Sequence, residues 1–194
     1  MKISTSIKDS SYAVYGLGLS GHSALNFLKK KKVKKIYTWD DKKNVKKVNL
    51  FKKALDIVDY IVISPGINIQ KTKFKLALSK NKKKIITDLD LFYMQKIPVK
   101  SIVITGTNGK STACKLIQHI FKTNRLDAQL GGNIGKPILD LKIGKKSVVI
   151  IEASSFQLAY TKFIKPTLAV ILNITSDHLD WHNTITNYKN SKFK

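Results

Sequence analysis

Short apolar runs alternate with polar, helix-compatible stretches along this chain. Residues 12–15, 36–39, 60–63 and 84–87 read as strands, and helical patterns run through Leu28 and over residues 72–79. Strands that alternate with helices predict a parallel sheet with right-handed crossovers. A break falls at residues 95–98, and a second α/β pattern follows. It has a strand at 99–105, a helix over 111–121, a strand at 147–151 leading into Glu152, and a strand at 168–172 ending at Asn173. The expected class is α/β: a Rossmann-like parallel sheet domain over 1–95, then a P-loop ATPase-type α/β central domain over 96–194. Three strong strands are too few for a complete doubly wound domain, so the central domain is expected to be incomplete and the chain truncated.

Composition narrows the setting. At 43% hydrophobic, 194 residues can bury a core. No apolar run approaches the roughly 20 residues of a spanning helix, and no signal peptide is visible. Cys114 is the one cysteine, which excludes an internal disulfide and a cysteine metal cluster and suits a reducing cytoplasm. The net charge of +24 raises the question of nucleic acid. Yet Arg125 is the only arginine among 36 basic residues. Arginine is the residue suited to forked phosphate and base contacts. The lysines are spread through every segment, as a coding bias filling solvated positions would spread them, and no nucleic-acid partner is expected. Glutamate occurs once, as Glu152, at the end of an apolar strand, where α/β proteins place ligand-binding groups.

Five motifs carry candidate chemistry. Gly106-Thr107-Asn108-Gly109-Lys110-Ser111-Thr112 follows a strand and opens a helix. Loop amides, a helix N-terminus and the Lys110 charge suit a nucleotide phosphate, and Ser111 offers a hydroxyl to Mg²⁺. Ile104 stands where the full Walker A pattern has its first glycine, so the loop is a shorter variant. Gly16-x-Gly18-x-x-Gly21, with Asp40 about 20 residues on, fits a diphosphate, whether of NAD or of a UDP-sugar. Gly131-Gly132-Asn133-Ile134-Gly135 offers one amide that donates and accepts at once. Glu152-Ala153-Ser154-Ser155-Phe156-Gln157 places a carboxylate near the phosphate loop, as a Mg²⁺ ligand would be placed. Asn173 to His182 adds Asp177, His178, Asp180 and His182 after another strand, a grouping suited to ligand or substrate contact.

These motifs, in this order, resemble the Mur ligases, and within them the branch that adds D-glutamate to UDP-N-acetylmuramoyl-L-alanine. The N-terminal Gly-Leu-Gly-Leu-Ser-Gly and Ser64-Pro65-Gly66-Ile67 resemble the same branch. The resemblance implies an ATP-dependent peptide synthase of peptidoglycan precursor assembly, working through an acyl phosphate with Mg²⁺, cytoplasmic and monomeric. It implies that Lys110 contacts the β/γ-phosphates and that Gly106 to Thr112 cradle them. Ser111 and Glu152 would hold one Mg²⁺, and His178 and a carbamylated Lys192 a second. Gly18, Leu19, Ser20 and Asp40 would face the UDP portion, and Asn133, Ser154 and Gln157 the muramoyl-alanine portion. Tyr188-x-x-x-Lys192 resembles the segment that carries the carbamate. Trp181 and Asn183 depart from the family's usual arginine and glycine. A C-terminal domain that binds the amino acid is expected to be absent, leaving this chain unable to turn over alone. The alternatives are another Mur ligase, or a non-catalytic UDP-sugar or NAD-binding module. Glu152, Asp177 and His178 at strand ends argue against a plain binder.

Overall fold

In a computed structural model the described residues are 6–42 and 48–194. Two four-stranded sheets, parallel throughout, organise them. The first contains β1 (Tyr12–Tyr15), β2 (Ile36–Trp39), β3 (Tyr60–Ile63) and β4 (Ile85–Ile86), in the order β2-β1-β3-β4. Helices α1 (Leu19–Lys30), α2 (Val48–Ile57), α3 (Lys75–Lys80) and α4 (Asp88–Met94) accompany it. β1 and β3 are buried at every position, which is why they read as unbroken apolar runs rather than alternating ones.

The second sheet has the order β6-β7-β5-β8, from β5 (Lys100–Thr105), β6 (Ala128–Gly132), β7 (Val148–Glu152) and β8 (Leu168–Ile171). Helix α5 (Lys110–Thr123) follows the glycine loop, and α6 (Ser155–Tyr160), α7 (Leu179–His182) and α8 (Ile185–Lys192) follow the strand ends. This sheet has four strands where the apolar pattern marks three. β6 was hidden because Ala-Gln-Leu-Gly-Gly has no apolar run; it is built by backbone pairing with β7, Leu130 against Ile150 and Gly132 against Glu152. Two other boundaries differ. The helix expected over 72–79 is α3, and Thr87, expected at the end of a strand, is the N-cap of α4. Thr87 and Asp90 close a capping box there, each satisfying a backbone N–H of the other's turn.

Two buried clusters line the faces of the first sheet. One gathers Tyr15, Trp39, Phe51 and Phe74, rings that meet edge-on or tilted with centroids 5.2–5.9 Å apart. Polar ties cross between the two sheets' segments. Asp90 accepts the backbone N–H groups of Lys162 (2.8 Å) and Phe163 (2.6 Å), Ser23 donates to Asp140 (2.8 Å), and Asn68 donates to the Trp181 carbonyl (3.0 Å). No described helix is long and apolar enough to cross a membrane.

Candidate functional site

The glycine loop leaves the C-terminal end of β5 and turns into α5. Gly109 caps that helix with φ +79°, a conformation that glycine adopts without a Cβ penalty. Lys110 curls back over the loop, and its ammonium donates to the carbonyls of Gly106 (2.8 Å) and Thr107 (2.7 Å). Asn108 is fixed to β8's end by a reciprocal pair, its N–H to Asn173 Oδ1 (2.9 Å) and its carbonyl from Asn173 Nδ2 (3.1 Å). Thr112 is exposed on the first turn of α5.

Glu152 joins two other expected residues, Ser111 and Asn133. Its side chain is buried at 2% exposure. Ser111 donates its hydroxyl to Oε2 at 2.7 Å, and Asn133 donates its amide to Oε1 at 2.8 Å. The lone glutamate therefore sits at the head of the phosphate loop, where β5, β6 and β7 end side by side. Burial, and then the Glu152 charge, push the thiol of Cys114 on the first turns of α5 up to about 12, which leaves that cysteine an inert packing residue.

Helix α8 closes the other side of the loop. Lys192 is 6% exposed, and its amine donates to the Gly106 carbonyl (2.9 Å) and Thr105 Oγ1 (3.3 Å). Burial, and then the Lys110 charge, lower its pKa to about 8 against a weaker opposing pull from Asp177. Beneath it lies the ring of Tyr188, 4.7 Å from the amine. The Tyr188 hydroxyl shares a 2.8 Å hydrogen bond with Thr107 Oγ1, so α8 grips the glycine loop directly. Nothing in a lysine-rich helix marks Tyr188 as a loop contact except its spacing from Lys192.

The histidines separate. His178 caps α7 with φ +51° and pairs with Asp177 at 3.4 Å, half exposed, with its ring against Phe156 (4.7 Å) and near Tyr188 (6.4 Å). His182 is 4% exposed and packs among Phe156, Trp181 and Tyr188, with Nε2 3.0 Å from Ser155 Oγ. Burial, followed by the charges of His178 and Lys192, lowers its pKa. His182, for which ligand or substrate contact is expected from the sequence, is mostly enclosed by these rings. One turn of α7 carries it inward, where it is a packing residue. Among the described residues no three His, Cys, Asp or Glu side chains converge as a metal-holding group. Ser111 and Glu152 by themselves form an oxygen pair of the kind Mg²⁺ accepts, with phosphate and water left to complete its shell.

A cleft of about 570 Å³ lies between the strand ends of the two sheets. Gly18, Leu19, Ser20 and Asp40 line it from the first, and Asn133 and Gln157 from the second. Asp40 accepts the Leu17 N–H (2.7 Å) and the Lys42 N–H (3.0 Å), which orders the glycine turn it faces. A Cβ on Gly21 would lie 1.8 Å from the Gly16 carbonyl, so close approach of helix and turn requires glycine there. Ser154 is not among the cleft's lining residues. It is the N-cap of α6, its hydroxyl bonded to the Gln157 N–H (3.3 Å) and to Gln157 Oε1 (3.1 Å).

Residues 104–194 match the Mur ligase middle domain. The UDP-N-acetylmuramoylalanine–D-glutamate ligase of Wolbachia pipientis is 35% identical over 199 residues, covering 96% of this chain and 39% of that protein. The enzyme of the same name from Buchnera aphidicola (Schizaphis graminum) is 40% identical over 195 residues, covering 92% and 43%. This chain therefore spans about two-fifths of the length of these relatives. Among solved structures, the UDP-N-acetylmuramate:L-alanyl-γ-D-glutamyl-meso-diaminopimelate ligase of Neisseria meningitides shares the fold, with a TM-score of 0.53 at 15% identity over 94% of this chain and 66% of that one. Ordered motifs, parallel sheets and relatives agree: the chain belongs to the Mur ligase family.

Proposed function

We propose that this chain is the substrate- and ATP-binding part of a ligase that joins D-glutamate to UDP-N-acetylmuramoyl-L-alanine in the cytoplasm. Residues 1–95 form the unit that takes the UDP portion, and residues 96–194 belong to the unit that takes ATP. The Ser111–Glu152–Asn133 hydrogen-bond chain carries this reading. It puts a carboxylate, a hydroxyl and an amide at the head of a phosphate loop and beside a cleft that reaches the first glycine turn.

In the proposed reaction the alanine carboxylate attacks the γ-phosphorus of ATP, ADP leaves, and the amine of D-glutamate then displaces phosphate from the acyl phosphate. Two anions must meet, so the chain's part is charge and placement. Lys110 would exchange its two loop carbonyls for phosphate oxygens as the nucleotide enters. Amides of Gly106 to Thr112 would hold the phosphates, and Asn133 and Gln157 would orient the muramoyl-alanine end. Ser111 and Glu152 would hold Mg²⁺, with His178 and Lys192 facing a second ion; bound there, the metal would supply neutralising charge to the phosphate. As an ammonium Lys192 repels a cation. With its pKa lowered to about 8, a fraction of its amine is neutral near pH 7.5. That amine can attack CO₂, forming a C–N bond and releasing a proton, to leave a carbamate anion in its place.

Calorimetry on the chain tests the reading. UDP-N-acetylmuramoyl-L-alanine and ATP should each bind, NAD should not, and Lys110→Ala should weaken only ATP. Binding of NAD with no response to the muramoyl nucleotide would establish a plain dinucleotide module instead. D-glutamate-dependent phosphate release, compared with L-glutamate and meso-diaminopimelate, tests the choice of amino acid.

A further inference from the structure

Asp88 opens α4 at the end of the first sheet and is 3% exposed. Thr87 and Asp90 already satisfy the helix N-terminus through their capping box. Asp88 Oδ1 accepts the N–H of its neighbour Leu89 (3.0 Å) and, from the second sheet's side, the amide Nε2 of Gln157 at 3.4 Å. Its Oδ2 is buried without a hydrogen-bond partner. Burial raises the carboxyl to about 6, the nearby Asp90 adding a smaller push, while the contacts from Gln157 and Leu89 oppose it. A buried carboxyl with one oxygen unmet is unfavourable compared with an apolar residue of similar size. The Leu89 N–H and the helix N-terminus offset part of that cost, and the contact with Gln157 is the one that reaches beyond the helix.

The Oε1 of Gln157 accepts from the Ser154 N–H (3.1 Å) and lies 3.1 Å from the Ser154 hydroxyl, so its oxygen end is fixed toward the cap of α6. Its nitrogen end must then point at an acceptor, and Asp88 presents one. The same side chain walls the cleft next to Asn133, which holds Glu152. We propose that Asp88 is a positioning residue for the substrate cleft, fixing the Gln157 amide across the junction of the two sheets. The role rests on the reading that this cleft takes the muramoyl nucleotide.

The test pairs Asp88→Ala with Asp88→Asn in the full chain. Asp88→Ala should weaken UDP-N-acetylmuramoyl-L-alanine roughly tenfold, the scale of one lost hydrogen bond to a charged group. UDP alone, held by the first sheet's loops, should change by less than about twofold on the same scale. Asp88→Asn keeps an acceptor facing Gln157 and should recover affinity to within about threefold. A readout independent of ligand comes from the side-chain amide resonances of Gln157 by NMR. In the unaltered chain they should shift with a midpoint near pH 6, and in Asp88→Asn they should not. Full affinity in Asp88→Ala, equal losses for UDP and the muramoyl nucleotide, or a Gln157 amide indifferent to pH each overturns the role of Asp88. If Asp88→Ala does not fold, the NMR titration and the Asn variant decide. Failure of the unaltered chain to bind the muramoyl nucleotide, with a titrating Gln157 amide, instead removes the cleft assignment and leaves the Asp88–Gln157 coupling standing.

Discussion

Tyr188→Phe isolates the grip of α8 on the glycine loop. The substitution deletes one hydroxyl from a side chain that is 1% exposed, and it keeps the ring beside His182 (5.3 Å) and under Lys192 (4.7 Å). What disappears is the 2.8 Å bond to Thr107 Oγ1. Thr107 is not orphaned by the change, because its hydroxyl still receives the Thr175 N–H at 3.0 Å and faces the Thr175 carbonyl at 3.2 Å. The cost is therefore the net value of one hydrogen bond, about 1 kcal/mol, rather than the larger cost of a buried unsatisfied group. For a chain of this length that is a fall of about 2–4 °C in melting temperature. Tyr188→Ala removes the ring as well and should cost about 3–5 kcal/mol, the range of large-to-small changes in a packed core. Thermal unfolding of both variants, with amide hydrogen exchange at Thr107, measures the difference. Exchange at Thr107 should quicken in Tyr188→Phe while the β1 and β3 amides keep their protection. A Phe variant as unstable as the Ala variant, or one with unaltered Thr107 exchange, would refute the idea that the hydroxyl ties helix to loop.

Three further outcomes are expected. Lys110→Ala should lower ATP affinity by more than tenfold, since about 1.5–3 kcal/mol attaches to a hydrogen bond from a charged donor, while the muramoyl nucleotide binds as before; titration calorimetry reads both. Gly21→Ala should destabilise the chain and abolish binding at the first glycine turn, because its Cβ would meet the Gly16 carbonyl at 1.8 Å, whereas Gly18→Ala meets nothing within 4 Å and should be tolerated. Lys192 has a folded-state pKa lowered from 10.5 to about 8, so the unfolded chain holds the extra proton between those values and stability should rise as pH climbs from about 8 to 10.5. Lys162, lowered to the same value mainly by burial, contributes in the same window; urea unfolding should show Lys192→Met and Lys162→Met each flattening part of the rise.

The strands that face packed helices on both sides were legible because burial on two faces demands unbroken apolar runs. β6 was not, since its pairing with β7 is made by the backbone and its residues are an alanine, a glutamine, a leucine and two glycines. Glu152 was legible for an unusual reason: a chain with a single glutamate at a strand end isolates the residue. Its contact with Ser111 follows from parallel topology, which sets neighbouring strand ends at one rim. The fates of His178 and His182 were not legible. They are four residues apart and chemically alike, and only the left-handed turn at His178 decides that one stays near solvent while the other enters an aromatic cluster. Ser154 and Gln157 illustrate a different limit, because a Ser-x-x-Gln pattern serves a helix cap as readily as a ligand, and here both residues form the cap.

The cleft depends on the angle between two sheets that share no strand. That angle is held by contacts that place a donor or acceptor from one sheet's loops into the polar end of the other's: Asp90 with the 162–163 amides, Ser23 with Asp140, Asn68 with the Trp181 carbonyl. Asp90 is the strongest of them, a fully buried carboxylate taking two backbone donors across the junction and a third from Thr87. Hydrogen bonds to a charged group are about twice as strong as neutral ones and are sensitive to geometry, so they fix orientation more sharply than apolar contact does. Burial nevertheless raises the Asp90 pKa above its ordinary value, since desolvation outweighs the donors that favour the anion. The buried anion therefore carries a desolvation cost that protonation relieves. With its folded-state pKa above the unfolded one, protonation is favoured in the folded chain, and the contribution of Asp90 to global stability grows as pH falls. Mild acid should then hold the junction at least as well as neutral pH does, because opening it would return Asp90 to solvent and to its lower pKa. Small-angle scattering as pH falls from neutral should show a constant radius while the strand amides stay protected, and an expanding radius with those amides still protected would contradict a junction set by this carboxylate.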